Sequence, residues 1–251
     1  MAKKGPDNVI FGRHPVVEAI QSGVAFDKLI LQQGIRGEFE KEIRQLSREY
    51  DIPLQVAPKE RLRKWTTANH QGIIGLQSLI TYHSLDQLLP LIYERSEMPL
   101  LVLLDGVTDV RNLGAIARSA ECVGAHGLII PKKGSALING EAIKTSAGAL
   151  NRIPVCRESS LVNVIELLQQ SGVQVLVSDL QAEKLIYQLD MRGPVALVVG
   201  SEDTGISQGV ADRADERFII PQRGATDSFN VSVAAGIMLY EVLRQRMTAD
   251  V

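Results

Sequence analysis

Apolar and polar positions along the chain fall into two blocks that differ in the length and spacing of their apolar runs. In the first block, short apolar runs alternate with stretches in which apolar residues recur every three or four positions. This pattern predicts strands at residues 9–11, 29–31, 54–56 and 73–79, and helices at residues 14–21, 38–50 and 59–65. The first block is therefore predicted to form a small α/β unit.

The second block contains continuous runs of Val, Ile and Leu, spaced by segments of helical length. The runs predict strands at residues 100–104, 127–130, 153–156, 173–177, 195–199 and 218–220. Such runs are typical of a parallel sheet covered on both faces. The clearest helix covers residues 161–170, with Ser159 or Ser160 as its N-cap and Gly172 just past its end. A last apolar segment, residues 229–242, has room for a helix of several turns.

Residues 77–97 separate the two blocks. They carry little strand pattern after Ile80, predict one helix at residues 85–93, and contain Pro90, with Pro99 just beyond. We therefore expect a small N-terminal α/β domain over residues 1–76, a linker over residues 77–97, and a larger α/β domain with a parallel sheet over residues 98–251.

Three polar loops follow predicted strands of the second block, at residues 105–119, 198–205 and 221–230. Loops at the carboxyl edge of an open α/β sheet converge on one crevice, where ligands bind. Their polar side chains include Asn112, Arg111, Arg118, Glu202, Ser228 and Asn230. Taken singly, the loops also fit solvated arginines, a glycine-rich turn and a helix cap. The functional signal is that all three occur together.

Composition and charge narrow the class of protein. The chain has 251 residues, of which 45% are hydrophobic and 22% charged, which is ordinary globular composition. Residues 1–76 carry 12 Lys and Arg against 9 Asp and Glu, whereas residues 77–251 carry 15 against 20. A basic N-terminal part on an acidic body favours a polyanionic partner, although a solvated surface gives the same counts.

The sequence also predicts the compartment. No apolar signal segment follows Met1, and the longest apolar runs are far short of a bilayer span. We therefore expect a cytoplasmic protein that does not cross a membrane. Cys122 and Cys156 are the only cysteines and match no metal-binding spacing, which favours free thiols in a reducing cytosol and no bound metal.

Several common chemistries lack their motifs in this chain. No G-x-G-x-x-G follows the strand at residues 100–104, and the sequence contains no G-x-x-x-x-G-K-[ST], no H-E-x-x-H and no G-x-S-x-G. Dinucleotide redox chemistry, P-loop hydrolysis, zinc proteolysis and serine-hydrolase chemistry all lose support.

The three loops resemble, in order and spacing, the three motifs of the SpoU (TrmH) family of RNA ribose 2′-O-methyltransferases. The matching residues are Asn112-Leu113-Gly114 with Arg118, Gly200-Ser201-Glu202 with Gly205, and Ile220-Pro221, Gly224 and the run from Ser228 to Ala234. The first block looks like the substrate-binding domain of the branch that methylates a guanosine of 23S ribosomal RNA. That likeness rests on residues 11–16 (Phe-Gly-Arg-His-Pro-Val) and 70–73 (His-Gln-Gly-Ile).

The resemblance covers nearly the whole chain and implies features that periodicity does not show. It implies a trefoil knot at the end of the parallel sheet (the SPOUT architecture), an S-adenosylmethionine site in that knot, and a homodimer packed around it. The residues expected to line the cofactor are Gly200, Ile220 and Phe229, and those expected to surround the ribose are Asn112, Arg118, Glu202, Ser228 and Asn230. The residue pattern alone predicts an unknotted sheet, because knots are rare.

Two groups remain open as the base that removes the proton of the ribose hydroxyl. The mechanism proposed for the family gives this role to Arg118. A guanidinium is a very weak acid, so in a second version Arg118 keeps its proton, aligns the RNA phosphate and stabilises alkoxide charge. Glu202 is the other candidate base.

With only 4% aromatic residues in the chain, recognition of unpaired RNA bases is expected to rely on Arg, Lys and His side chains. The candidates for RNA contacts are Arg13, His14, His70 and Arg111, with the cluster Arg61, Arg63 and Lys64. A helix cap at His14 and a solvated cluster are the alternatives. Two other functions stay open: a transfer RNA or resistance-type ribosomal RNA methyltransferase of the same family, and a non-catalytic RNA-binding protein with this fold.

Overall fold

The structure is a computed structural model that describes residues 8–226 and 228–249. The chain divides into two compact units, and the boundary lies between Thr81 and Tyr82. Among the described residues, no helix is both long enough and apolar enough to cross a membrane.

Within its described residues, 8–81, the first unit is a four-stranded sheet with three helices. Its elements are β1 (Val9–Phe11), α1 (Arg13–Gln21), β2 (Phe26–Gln32), α2 (Glu38–Glu49), β3 (Leu54–Ala57), α3 (Lys59–Leu62) and β4 (Ile73–Gln77). The strand order is β1-β4-β2-β3, in which β4 runs antiparallel to both neighbours and β2 and β3 are parallel. Val16 and Ile20 of α1 and Ile43 of α2 pack with Leu29 and Leu31 of β2 in one buried cluster. The predicted α/β unit is therefore present.

The second unit is built on a seven-stranded sheet. Its elements are β5 (Tyr82–His83), α4 (Leu85–Glu94), β6 (Leu100–Leu104), α5 (Val110–Cys122), β7 (Gly127–Pro131), α6 (Gly140–Thr145), β8 (Val155–Glu158), α7 (Leu161–Gln170), β9 (Gln174–Ser178), β10 (Val195–Val199), α8 (Gln208–Ala211), β11 (Glu216–Phe218) and α9 (Val231–Ala249), with 3₁₀ turns at Ala149–Asn151 and Ile186–Gln188. All neighbouring strands are parallel, in the order β11-β9-β10-β6-β7-β8-β5. The predicted parallel α/β sheet is confirmed.

Part of the predicted linker belongs to this sheet. β5 pairs with the edge strand β8, so the sheet has one strand more than the six that the apolar runs predict. Leu85, Leu89 and Ile92 of α4 are at most 4% exposed and lie in the core, where each contributes about 2 kcal/mol to folding. Pro90 lies inside α4 and does not end it. Two residues give too short a pattern for β5 to be recognised.

The last strand is displaced from its predicted position. β11 covers Glu216–Phe218, whereas the apolar run extends to Ile220. Ile219 no longer pairs with β9: it forms an isolated bridge with Leu185, and its N–H donates to the Lys184 carbonyl at 2.9 Å. The change of partner ends the strand early and leaves Ile220 on the loop that follows.

The sheet changes winding direction between β6 and β10. From β6 the chain adds β7 and β8 on one side, whereas β10 and β9 lie on the other. Ligands of open α/β sheets bind at such a switch point, outside the carboxyl ends of the strands. The trefoil knot implied by the resemblance stays a prediction, since the strand order does not trace how the last segment passes through the chain.

Glycine at position 114 lets two helices come close near this edge. A Cβ at Gly114 of α5 would lie 2.7 Å from the Ala142 carbonyl oxygen and 2.9 Å from the Thr145 Cβ, both in α6. A residue without a side chain lets another backbone come this close. The approaching backbone is that of α6.

Candidate active site

A cleft of about 470 Å³ lies at the carboxyl ends of β9, β10 and β11. The loop after β11 and the first turns of α9 give it an apolar wall, formed by Ile220, Phe229, Val231, Ala234 and Met238. The loops after β9 and β10 supply most of its polar groups. All three residues expected to line the cofactor, Gly200, Ile220 and Phe229, border this cleft.

Gly200 is required by the loop itself. A Cβ at this position would lie 2.6 Å from both the Gly205 carbonyl oxygen and the Ile206 nitrogen. Ser201 and Gly205 exchange two backbone hydrogen bonds, of 2.9 and 3.0 Å, which fold the loop back onto Gly200. The glycine therefore allows a tight turn that presents Glu202, and Gly205 completes it with a φ of 67°.

The three predicted loops meet through Asn230. Its amide nitrogen donates to the Asn112 Oδ1 at 3.2 Å and, in a short hydrogen bond, to the Glu202 Oε1. Asn112 stands in the first turn of α5, which its N-cap Asp109 begins by accepting the backbone N–H groups of Arg111 and Asn112 at 2.7 and 3.1 Å. These contacts hold together residues that are 118 and 28 positions apart in the sequence.

Asn230 is also the N-cap of α9. Its side-chain oxygen accepts the Ser232 N–H at 3.0 Å, and its carbonyl accepts the N–H groups of Val233 and Ala234. The Glu202 carboxylate lies beside the Val231 N–H, at 3.5 Å, where a negative charge is favourable at a helix N-terminus. The helix cap, which was the alternative interpretation of this loop, is thus present at Asn230, and it forms part of the junction between the loops.

Arg118 is not brought into the cleft. It lies on the exposed side of α5, and no hydrogen bond or ion pair joins it to residues 8–226 or 228–249. Arg111 is exposed as well and contacts Asp109 at 3.6 Å and Glu141 at 4.0 Å. Ser228 is exposed and borders the cleft.

One wall of the cleft was not predicted from the sequence. Residues 178–181, which follow β9, line it together with Arg217 of β11. The signal was present, because Ser178 and Asp179 follow an apolar strand just as the other loops do. It went unused because this loop matches none of the three motifs.

Asp105 links the loop after β6 to the loop after β10 through two hydrogen bonds. Its carboxylate accepts the Ser207 N–H at 2.7 Å, and its own N–H donates to the Val199 carbonyl at 2.8 Å. The loops that carry Asn112 and Glu202 are therefore joined at their base and also at the Asn230 junction.

The first unit has a surface groove of about 710 Å³. Three candidate RNA residues, Arg13, His14 and His70, border it, together with Lys59 and Arg63. Arg61 and Lys64, the other members of the predicted basic cluster, are not among its lining residues. His14 lies in the first turn of α1, whose N-cap is Gly12, so it is not a helix cap.

The two N-terminal segments singled out in the sequence form one wall of this groove. The Arg13 N–H donates to the Gln71 Oε1 at 2.9 Å, and the Gly12 N–H donates to the Ile73 carbonyl at 3.3 Å. The guanidinium of Arg13 lies 4.5 Å from the centre of the Phe39 ring. Segments about 60 positions apart are thus held at one surface.

His70 presents a fixed tautomer to the groove. The residue is 6% exposed, and its Nδ1 accepts the Gly72 N–H at 3.0 Å, which leaves Nε2 as the protonated nitrogen in the neutral ring. Burial, and then the positive charges of Lys59 and Arg63, lower the pKa of His70 below its ordinary value. His70 is therefore a neutral hydrogen-bond donor near pH 7.

Within residues 8–226 and 228–249, no three His, Cys, Asp or Glu side chains are grouped so that they could hold a metal ion. Cys122 is exposed, Cys156 is buried, and both are free thiols.

Two protein families match the chain. The SpoU rRNA Methylase family matches residues 99–240, which contain the cleft and all three loops. The family "RNA 2′-O ribose methyltransferase substrate binding" matches residues 9–79, which contain the groove.

Similar proteins match over almost their full length. The YacO protein of Bacillus subtilis (strain 168), named for the TrmH family of tRNA/rRNA methyltransferases, is 34% identical over 94% of this chain and 95% of its own. A protein of Staphylococcus haemolyticus (strain JCSC1435) named for the same family is 38% identical over 96% of both chains.

Solved structures have the same fold. The AdoMet-bound rRNA methyltransferase from Sinorhizobium meliloti aligns with a TM-score of 0.59 and 25% identity over 94% of this chain and 86% of its own. The SpoU methyltransferase AviRb from Streptomyces viridochromogenes aligns with a TM-score of 0.60 and 23% identity, over 96% and 90%. With both family matches and relatives of this similarity, the chain belongs to the SpoU (TrmH) family of tRNA/rRNA methyltransferases.

Proposed function

We propose that this protein transfers a methyl group from S-adenosylmethionine to the 2′-hydroxyl of a ribose in RNA, and that the substrate is a guanosine of 23S ribosomal RNA. The observation that carries the proposal is the junction of Asn112, Glu202 and Asn230, which joins three loops beside a cleft. A protein that only binds RNA has no need of such a cleft, so the junction favours an enzyme over a non-catalytic RNA-binding protein.

The cleft fits the cofactor in size and chemistry. A volume of about 470 Å³ lies within the range of small-molecule sites, and such sites combine apolar walls with a few placed polar groups. Ile220 and Phe229 would hold the apolar parts of the ligand, and the backbone of the turn at Gly200 would offer polar groups. The cofactor supplies an electrophilic methyl group.

The polar side chains of the three loops are proposed to have two roles: some position the ribose 2′-hydroxyl, and one activates it. The Glu202 carboxylate already accepts the Asn230 amide and lies beside the Val231 N–H, so it serves to position Asn230 and the start of α9. Asn112 uses its oxygen for Asn230, and its NH₂ group donates to none of the residues that the structure describes, so it is available to donate to the RNA. Because Glu202 is engaged at the junction, the proposal gives the ribose hydroxyl and its phosphate to Arg118 on the strength of its motif position, since Arg118 itself borders no part of the cleft.

The groove of the first unit is proposed to bind the RNA strand. Lys59 and Arg63 supply positive charge for phosphates, and the neutral His70 supplies a donor that a base or ribose oxygen can accept. The basic balance of residues 1–76 supports this assignment.

Reversing two groove charges should weaken RNA binding and lower its salt dependence. The double variant Lys59→Glu/Arg63→Glu is expected to reduce the slope of log affinity against log salt by about 1.4, since each lost phosphate contact removes about 0.7 for a single strand. The matched control Lys41→Glu/Arg48→Glu makes the same charge change on α2, away from the groove. If the slope of log affinity against log salt were the same in both double variants, the groove would not be an RNA-binding site.

The identity of the methylated nucleotide is tested in cells. Mapping of 2′-O-methyl groups on ribosomal and transfer RNA, with and without this protein, is expected to show one lost methyl group, on a guanosine of 23S ribosomal RNA. A loss on transfer RNA, or at another ribosomal nucleotide, would assign the protein to a different branch of the family. No loss on either RNA, combined with no S-adenosylmethionine binding by the purified protein, would leave the non-catalytic alternative.

We further propose that two copies associate through α9. Val233, Tyr240 and Met247 are 49%, 63% and 64% exposed and follow one another at seven-residue spacing, so they form one apolar stripe on the helix. A second copy of the chain is the occupant that the family resemblance implies.

Charges on the α9 stripe should separate the copies. The double variant Val233→Asp/Tyr240→Asp is expected to run as a monomer in size-exclusion chromatography with light scattering, while the wild-type chain runs as a dimer. Leu91→Asp is the control, because Leu91 is 48% exposed on α4, outside the stripe. A dimer that persists in the double variant would place the interface elsewhere.

A further inference from the structure

The wall of the cleft that follows β9 carries a carboxylate with no assigned role. Asp179 and Leu180 border the cleft, as do residues of the loops after β10 and β11. β9 lies between β10 and β11 in the sheet, so its carboxyl end is central to the site. A ligand in the cleft therefore lies beside Asp179.

Asp179 is held in a defined orientation. Its N–H donates to the Phe218 carbonyl at 2.9 Å, and its Oδ1 accepts the Gln181 N–H at 2.9 Å. Its Oδ2 lies 3.4 Å from the Arg217 guanidinium, which also donates to the Ala211 carbonyl at 2.9 Å. An oriented side chain loses little conformational entropy when a ligand binds.

The Asp179 carboxylate, which borders the cleft, retains acceptor capacity. An ionised carboxylate has about four lone-pair positions, and its contacts with Gln181 and Arg217 use two of them. The Asp179 side chain is 25% exposed, so the remaining positions are accessible. Arg217 partly balances its negative charge, which favours a neutral donor such as a hydroxyl over another cation.

The surroundings of Asp179 match one part of a nucleoside. Leu180, which is 57% exposed, and Ile220 offer apolar surface in the same cleft, against which a base or sugar face can pack. A carboxylate at a strand end of a parallel α/β sheet is the group that accepts ribose hydroxyls in dinucleotide-binding folds. We propose that Asp179 accepts hydrogen bonds from the ribose diol of the nucleoside cofactor, an inference that rests on the function proposed above.

Calorimetric titration of the full chain with two ligands tests this role. S-Adenosylhomocysteine carries the ribose and an amino-acid end, whereas 5′-methylthioadenosine carries the ribose without the amino-acid group. Asp179→Ala is expected to weaken both ligands by the same factor, about ten- to a hundredfold, because both lose hydrogen bonds to a charged acceptor. A 2′,3′-dideoxy form of methylthioadenosine is expected to bind the wild-type chain and the variant equally weakly.

Two further variants separate a direct contact from a structural effect. Asp179→Asn keeps an oxygen for the Gln181 N–H and is expected to bind both ligands with intermediate affinity, with a melting temperature close to that of the wild type. Asp212→Ala removes another partner of Arg217, at 3.1 Å, and leaves Asp179 in place, so its affinities are expected to stay unchanged. Losses in Asp212→Ala as large as in Asp179→Ala would show that the placement of Arg217 matters and would overturn the proposal.

The ligand series separates the remaining outcomes. Loss of affinity for S-adenosylhomocysteine alone would mean that Asp179 contacts the ammonium group and not the diol. Unchanged affinity of Asp179→Ala for both ligands would remove Asp179 from cofactor recognition. If the wild-type chain binds neither ligand nor S-adenosylmethionine, the cofactor assignment itself fails, and that result is distinct from equal binding by wild type and variant.

Discussion

Arg118→Ala is expected to lower the rate of methyl transfer by about a thousandfold while leaving S-adenosylmethionine affinity within about twofold of wild type. Arg118 is exposed, borders no part of the cleft, and has no partner in the part of the chain that the structure describes. Alanine is the better helix former, so the substitution carries no expected cost in stability. A loss of activity would therefore report on the reaction and not on the fold. Single-turnover kinetics with saturating RNA, alongside cofactor titration, gives both quantities.

Two other variants test which group acts on the ribose hydroxyl. Glu202→Gln keeps an oxygen to accept the Asn230 amide and loses only the charge and basicity of the carboxylate. We expect it to retain most of its activity, with an unchanged pH profile. Arg111→Ala changes another exposed arginine of α5 and is expected to raise the KM for RNA several-fold without changing kcat. A near-normal rate in Arg118→Ala with a large loss in Glu202→Gln would make Glu202 the base.

Gly200→Val is expected to weaken S-adenosylmethionine binding by about a hundredfold or more, the loss typical of removing a group of central contacts. The added side chain meets the backbone of Gly205 and Ile206, so the turn that lines the cleft and carries Glu202 must open. The clash costs about 1 to 3 kcal/mol, which a domain of this size tolerates, and the chain is expected to stay folded. Calorimetric titration and circular dichroism measure the two effects.

Glycine is needed at position 200 either because the turn leaves no room for a Cβ or because the ligand leaves no room for a larger side chain. Substituents of different size distinguish these two reasons. The clash begins at Cβ, so Gly200→Ala is expected to lose nearly as much affinity as Gly200→Val. Gly193→Val is the matched control, because a Cβ at Gly193 meets no atom within 4 Å. Phe229→Leu, which keeps an apolar side chain in the cleft wall, is expected to bind normally. Normal binding by Gly200→Ala would contradict the turn requirement.

Local features were predicted well because each is encoded within a few neighbouring residues. α7 covers the predicted residues, Ser160 accepts the Asn163 N–H at its start, and Gly172 follows its end with a φ of 77°. The continuous apolar runs predicted buried strands correctly, since all five residues are buried in β6 and in β10. Strand β5 was not predicted, because two residues are too few to show a repeating pattern of apolar positions.

The site was predicted in part. The loops that match family motifs supplied Asn112, Glu202 and Asn230, and the structure brings these three side chains into hydrogen-bonding contact. Asp179 was missed because its partner Arg217 is 38 positions away and no spacing rule relates them. Arg118 has the right motif position, yet its place on the open side of α5 was not readable from the sequence.

The sequence by itself determined the α/β class, most helix and strand positions, and three polar loops at one edge of a sheet, because burial and capping act over short stretches of chain. Only the tertiary structure decided that Gly200 serves a tight turn and that β9 supplies a wall of the cleft. It also decided that Asn230 serves as both helix cap and junction. These features depend on which distant segments become neighbours, and that is set by the strand order β11-β9-β10-β6-β7-β8-β5, which leaves no trace in the period of apolar residues.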